Sequence, residues 1–170
     1  FRSFRPALKK LKHRIMRIVN NMKNAAIINC LGYAGLIPFW AAAWAMLGDR
    51  TLFQLSPALI FLTYSAIILS FLGGTLWGKA RELADGFLSA GLLLLSNVLA
   101  LSAWLMLLLG ETFMVPGLLI ALIGYAILCA VEWVSTSQVL GGVGEPYLRF
   151  RLTLTSVVCL AHAVVIYAVL

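Results

Sequence analysis

QLSPALIFLTYSAIILSFLGGTLWGKAR, residues 54–81, carries no charge from Gln54 to Trp77 and is then closed by Lys79 and Arg81. An uncharged run of ~20 residues spans a ~30 Å hydrocarbon core as a helix. Lipid offers unpaired backbone groups no partner, and nothing here alternates like a barrel strand, so the run must be helical. Four further apolar runs lie at about 25–47, 86–109, 115–133 and 152–170. The first is too long for a signal peptide and lacks a convincing cleavage site. The fold class expected is therefore all-α, a bundle of five transmembrane helices over residues 25–170. Residues 1–24 form a separate basic amphipathic segment.

Composition agrees with that class. Charged residues make up 11% of the chain and hydrophobic ones 62%, too little polar surface to cover a soluble core. The net charge of +7 does not point to nucleic acid, because eight basic residues crowd into the first 23 positions. Orientation follows from the Lys and Arg distribution. With five spans, residues 1–24, the connection 78–85 (Lys79, Arg81) and the connection 134–151 (Arg149, Arg151) share one side, which leaves only Arg50 opposite. The positive-inside rule puts the N-terminus inside and the C-terminus outside. Trp77 and Trp133 fall at inner helix ends, and Trp40, Trp44 and Trp104 near outer ones.

Within residues 1–23, Phe4, Leu8, Leu11, Ile15, Ile18, Val19 and Met22 draw one apolar helical stripe. Such a helix lies in the headgroup layer, with Lys9, Lys10, Lys12, Arg14 and Arg17 in contact with anionic lipid such as cardiolipin. A basic tail that only enforces orientation is the plainer alternative. A remnant of a mitochondrial targeting segment is another, since no acidic residue precedes Asp49.

Helix-packing signals are clearer than catalytic ones. Ala66, Ser70, Gly74 and Gly78 recur every four residues and form a narrow small-residue stripe, suited to a neighbour in this chain or in a partner. Pro38 should free the Ala34 carbonyl and kink the first span, with Gly32 and Gly35 leaving room beside it. Glu132 ends span four near the level of Arg149 and Arg151, where a charge pair would fasten two helices. His162 lies eleven residues past Arg151, about 16 Å along a helix and near the midplane. Asn97 lies at a similar depth. Intramembrane polar groups of this kind are functional candidates, although a hydrogen bond between the two, or from each to a carbonyl, satisfies them structurally. Cys30, Cys129 and Cys159 lack metal-site spacing and read as small apolar residues. No catalytic, metal or cofactor-binding set emerges, so a non-enzyme is expected.

Three segments carry a family resemblance. Residues 31–39 (LGYAGLIPF) look like an LGxxGLIPF opening, and residues 64–78 (YSAIILSFLGGTLWG) resemble a YGAxxLSFLGGxxWG signature, with Ser65 in place of the usual Gly. Residues 147–155 (YLRFRLTLT) are similar to a Y/F-x-x-L-R-x-x-L-T segment that includes Arg151. Together they resemble the transmembrane protein 69 family and its bacterial relatives, a group of unknown function, over about residues 30–165. The resemblance implies an inner-membrane protein, mitochondrial in eukaryotes, with no assigned reaction. The expected role is a non-catalytic accessory subunit or assembly factor of a larger, respiratory-type membrane complex. Its partners would be other integral membrane subunits and anionic lipids, with no soluble substrate. The alternative is a small transporter, or a lipid or quinone binder, using Asn97 and His162. The expected address is the mitochondrial inner membrane with the N-terminus in the matrix, or else a bacterial plasma membrane with the N-terminus cytoplasmic.

Overall fold

The computed structural model describes residues 25–48, 54–83, 86–110, 112–140 and 145–170. They are almost wholly helical, and five segments are long and apolar enough to cross a membrane: Ala25–Leu47, Pro57–Glu82, Phe87–Leu109, Met114–Ser135 and Pro146–Val169. The interfacial segment expected at 1–24, with Lys9, Lys10, Lys12, Arg14 and Arg17, lies outside the described residues.

Two compact units divide after Gly35. The first contains α1, residues 25–34, which includes Gly32 and closes with the Gly35 N–H donating to the Leu31 carbonyl at 2.9 Å. The second contains α2 (Ile37–Leu47), α3 (Pro57–Glu82), α4 (Phe87–Leu109), α5 (Met114–Leu140) and α6 (Glu145–Val169). The helix expected over 25–47 is interrupted next to Pro38. A turn at residues 35–36 ends α1, and Pro38 sits in the first turn of α2, where its missing N–H leaves no helical bond unmade.

Local chemistry sets the helix ends. The Ser56 hydroxyl caps α3 by accepting from the Leu59 N–H at 3.2 Å, and Pro57 takes the first helical position. This starts the span three residues later than its hydropathy suggests. At the far end α3 continues to Glu82, and Lys79 and Arg81 in its last turn complement the helix dipole. Gly110, at φ +51°, ends α4 in a backbone conformation that favours glycine. The connection expected at 134–151 is mostly helix, because α5 reaches Leu140 and α6 begins at Glu145. Hydropathy marks where lipid stops, and residues such as Glu, Gln and Arg carry a helix well past that level.

Helix α3 is the hub. It packs most extensively on α4 and also contacts α2 and α5, while α6 rests on α5 and α2. The face that α3 buries carries Phe61, Leu62, Ser65, Ala66, Leu69, Gly73, Leu76 and Ala80. Of the stripe expected to pack, only Ala66 belongs to it fully; Ser70 is half-buried, and Gly74 and Gly78 are exposed. The close approach is made by Gly73 instead, where a Cβ would stand 3.2 Å from Leu99 Cβ and 3.4 Å from the Ser96 carbonyl oxygen. A four-residue spacing drifts around a 3.6-residue helix, which is why Gly73 and not Gly74 stays on the face that begins at Ala66. Large apolar side chains such as Trp44, Phe71, Leu94 and Leu101 point outward, as expected of a surface solvated by lipid.

The adjacent glycines should therefore separate cleanly. Gly73→Leu overpacks the α3–α4 contact and should destabilise the bundle by about 1–3 kcal/mol. Gly74→Leu, where a Cβ meets nothing within 4 Å, should change stability by no more than about 0.5 kcal/mol. Thermal unfolding of both variants in the same detergent measures the difference.

Candidate functional site

Among the described residues, and apart from Ser96 of α4, the buried polar side chains fall into two groups, one in the core and one at the bundle end that carries Lys79, Arg81, Arg149 and Arg151. In the core, His162 of α6 is fully enclosed. Its Nδ1 lies 2.9 Å from the Val158 carbonyl oxygen and its Nε2 2.8 Å from Ser65 Oγ. A carbonyl can only accept, so Nδ1–H is the donor and Nε2 accepts from the serine hydroxyl. The Ser65 carbonyl also receives the Tyr125 hydroxyl at 2.9 Å, which ties α5 to α3. Aromatic rings close around the imidazole: Phe61 packs edge-on at 4.8 Å between centroids, Tyr125 at 5.4 Å and Phe39 at 5.9 Å. One imidazole thus joins α3 and α6 inside an apolar cage.

Asn97 is not brought to His162. It lies exposed on α4 and donates to its own helix, Nδ2 to the Leu93 carbonyl at 2.9 Å. His162 is enclosed and Asn97 faces outward, so the two do not meet; each bonds to a carbonyl of its own helix, one of the two structural arrangements expected for them.

At the basic end, Arg151 Nε donates to Glu132 Oε2 at 2.7 Å, with both side chains about nine-tenths buried. This joins α5 and α6. Arg149, two residues earlier, is exposed. A helix turns roughly 100° per residue, so residues two apart cannot share a face. Lys79 Nζ donates to Ser135 Oγ at 2.8 Å, which adds α3 to the same corner. The Arg81 guanidinium stacks over the Trp77 ring at 4.9 Å. A cavity of about 420 Å³ opens here between α3, α5 and α6, with Lys79, Glu82, Glu132 and Tyr147 on its walls.

Elsewhere, Cys129 and Cys159 line a shallow, mostly apolar groove of about 390 Å³ between α5 and α6, whereas Cys30 is exposed. Among the described residues no group of three or more His, Cys, Asp or Glu side chains could hold a metal ion. Sequence reasoning overlooked Ser65, Tyr125, Ser135 and Tyr147. The one usable signal was Ser65, where a hydroxyl replaces the glycine of the pattern that residues 64–78 resemble.

These features define a polytopic helical membrane protein in which Ser65, Tyr125, His162, Glu132 and Arg151 bond between helices. The chain belongs to the DUF3429 family, described as a protein of unknown function, whose model matches residues 24–167. No curated protein and no solved structure matches the chain.

The core bond has a measurable weight. Ser65→Ala leaves the enclosed His162 Nε2 without its donor and should destabilise the bundle by about 1–3 kcal/mol. The double variant Ser65→Ala/His162→Phe removes both polar ends and should recover most of that loss. Chemical denaturation in mixed micelles compares the two. A double variant no more stable than the single one would mean that the bond is not what Ser65 contributes.

Proposed function

We propose that this protein is a non-catalytic integral subunit or assembly factor of a larger membrane complex, oriented with its basic end inside. The observation that carries the reading is the outward small-residue surface of α3. A Cβ at Gly74 meets nothing within 4 Å, and the half-buried Ser70 lies one turn before it. Backbone exposed in this way allows a second helix to approach closely, the main source of association where lipid removes the hydrophobic incentive. The engagement of Glu132, Arg151, Ser65 and His162 in helix-to-helix bonds supports the same reading, since these groups hold the bundle together.

The compartment proposed is an energy-transducing inner membrane, with the respiratory chain as the first candidate complex. Its support is the one-sided basic charge and the resemblance to the transmembrane protein 69 branch of the family. A mitochondrial membrane with the N-terminus in the matrix is proposed ahead of a bacterial one with it in the cytoplasm.

Purification from native membranes, with a tag at one end or the other, tests the proposal. A larger partner should copurify in fixed stoichiometry, the two tags should be protected from opposite sides, and Gly74→Leu should release the partner while the chain stays folded. A stable lone monomer in gentle detergent would contradict the subunit reading, and tags on the same side would contradict the orientation.

A further inference from the structure

The cavity at the basic end has a composition that selects its ligand. Its α3 wall consists of Thr75, Leu76, Gly78, Lys79 and Glu82, and the opposite wall presents Glu132 from α5 and Tyr147 from α6. At about 420 Å³ it falls within the ~300–1,000 Å³ range of small-ligand pockets. It lies where the apolar stretch of α3 gives way to charge, beside an exposed Trp77 stacked under Arg81. Tryptophan and arginine in that arrangement mark the headgroup level of a bilayer. A phospholipid can therefore reach the cavity sideways, with its tails still in the membrane.

The charges distinguish among headgroups. The lining carries Lys79 against two carboxylates, Glu82 and Glu132, and Arg151 holds Oε2 of Glu132 through the 2.7 Å contact, so the walls are not basic despite their place at the basic end. An anionic head would bring surplus negative charge beside two carboxylates. A quaternary amine would bring a cation with no N–H for those carboxylates. A primary ammonium linked to a phosphate matches both walls, because ammonium groups donate three hydrogen bonds and carboxylates accept them. Behind the Glu132 wall, the buried Arg151 Nη2 makes no hydrogen bond among the described residues.

We propose that this cavity binds the phosphoethanolamine head of a membrane phospholipid, the ammonium between Glu82 and Glu132 and the phosphate toward Lys79. The site does not depend on the subunit reading above, because it would serve a monomer equally well. It also differs from a general attraction to anionic lipid, which charge density alone would produce.

Native mass spectrometry of the full chain tests the assignment. The protein is reconstituted in an equimolar mixture of phosphatidylethanolamine, phosphatidylcholine, phosphatidylglycerol and cardiolipin with matched acyl chains. Phosphatidylethanolamine should be retained about tenfold over phosphatidylcholine, the ratio expected for one charge-assisted hydrogen bond. Glu82→Gln should reduce that preference about tenfold. So should Gly78→Leu, which fills the cavity at a position where a Cβ meets nothing within 4 Å. Unchanged thermal unfolding of the Gly78→Leu protein shows that the loss is local. Equal retention of the two zwitterionic lipids, a preference for phosphatidylglycerol or cardiolipin, or enrichment that survives both substitutions would overturn the assignment. Soluble phosphoethanolamine should compete only weakly; if it binds while the lipid does not, the lipid source is wrong.

Discussion

The contact between Arg151 Nε and Glu132 Oε2, 2.7 Å long and buried between α5 and α6, is the interaction on which the rest of the bundle depends. Two opposite charges in a low-dielectric interior are tolerable only together, since removing either strands the other. Their pairing sets the register of α6 against α5. Eleven residues further along α6, about 16 Å by helical rise, His162 bonds to Ser65 and sets α6 against α3. A helix held at two heights by two different neighbours can neither slide nor rotate, and the corner cavity and aromatic cage follow from that placement.

The same constraint explains how the core is filled. The hydrocarbon core supplies no hydrogen-bond partners, so a polar group inside the bundle is costly unless it finds one in the protein. The imidazole uses one N–H and one lone pair, and both are matched. The Tyr125 hydroxyl reaches a backbone carbonyl across an interface and leaves its ring to pack against Phe39 and His162. Shape does the remainder: Gly73 lets α4 approach α3, and Gly117 and Gly124 of α5 give room to Leu62 and Leu69. Helix association in a membrane rests on this combination of close packing and a few matched polar contacts.

Much of the architecture was legible in the sequence because lipid imposes a one-dimensional rule. Length and apolarity locate each span, and both survive without knowledge of neighbours. Helix ends were less legible: Ser56 and Pro57 start α3 by capping, and α5 runs on past its apolar stretch, and neither event appears in hydropathy. The facing residues were harder still. Gly73 and Gly74 are chemically identical, and only the rotation of α3 against α4 distinguishes them. Glu132 was readable as a partner for Arg149 or Arg151 because their depths matched, but that Arg151 makes the buried contact is shown only by the fold. Asn97 and His162 matched in depth but face different surroundings. Ser65 was visible as a departure from a pattern, but that its hydroxyl meets His162 from 97 residues away is a fact of tertiary structure.

The central claim is that the buried pair holds α5 and α6 together, and a double-mutant cycle on Glu132→Leu and Arg151→Met measures this directly in a reconstituted bilayer. Each single substitution should destabilise the bundle by about 3–5 kcal/mol. The double substitution should then cost far less than the two losses combined, because neither charge is left stranded. Strictly additive losses, or singles that unfold like the wild type, would contradict the account.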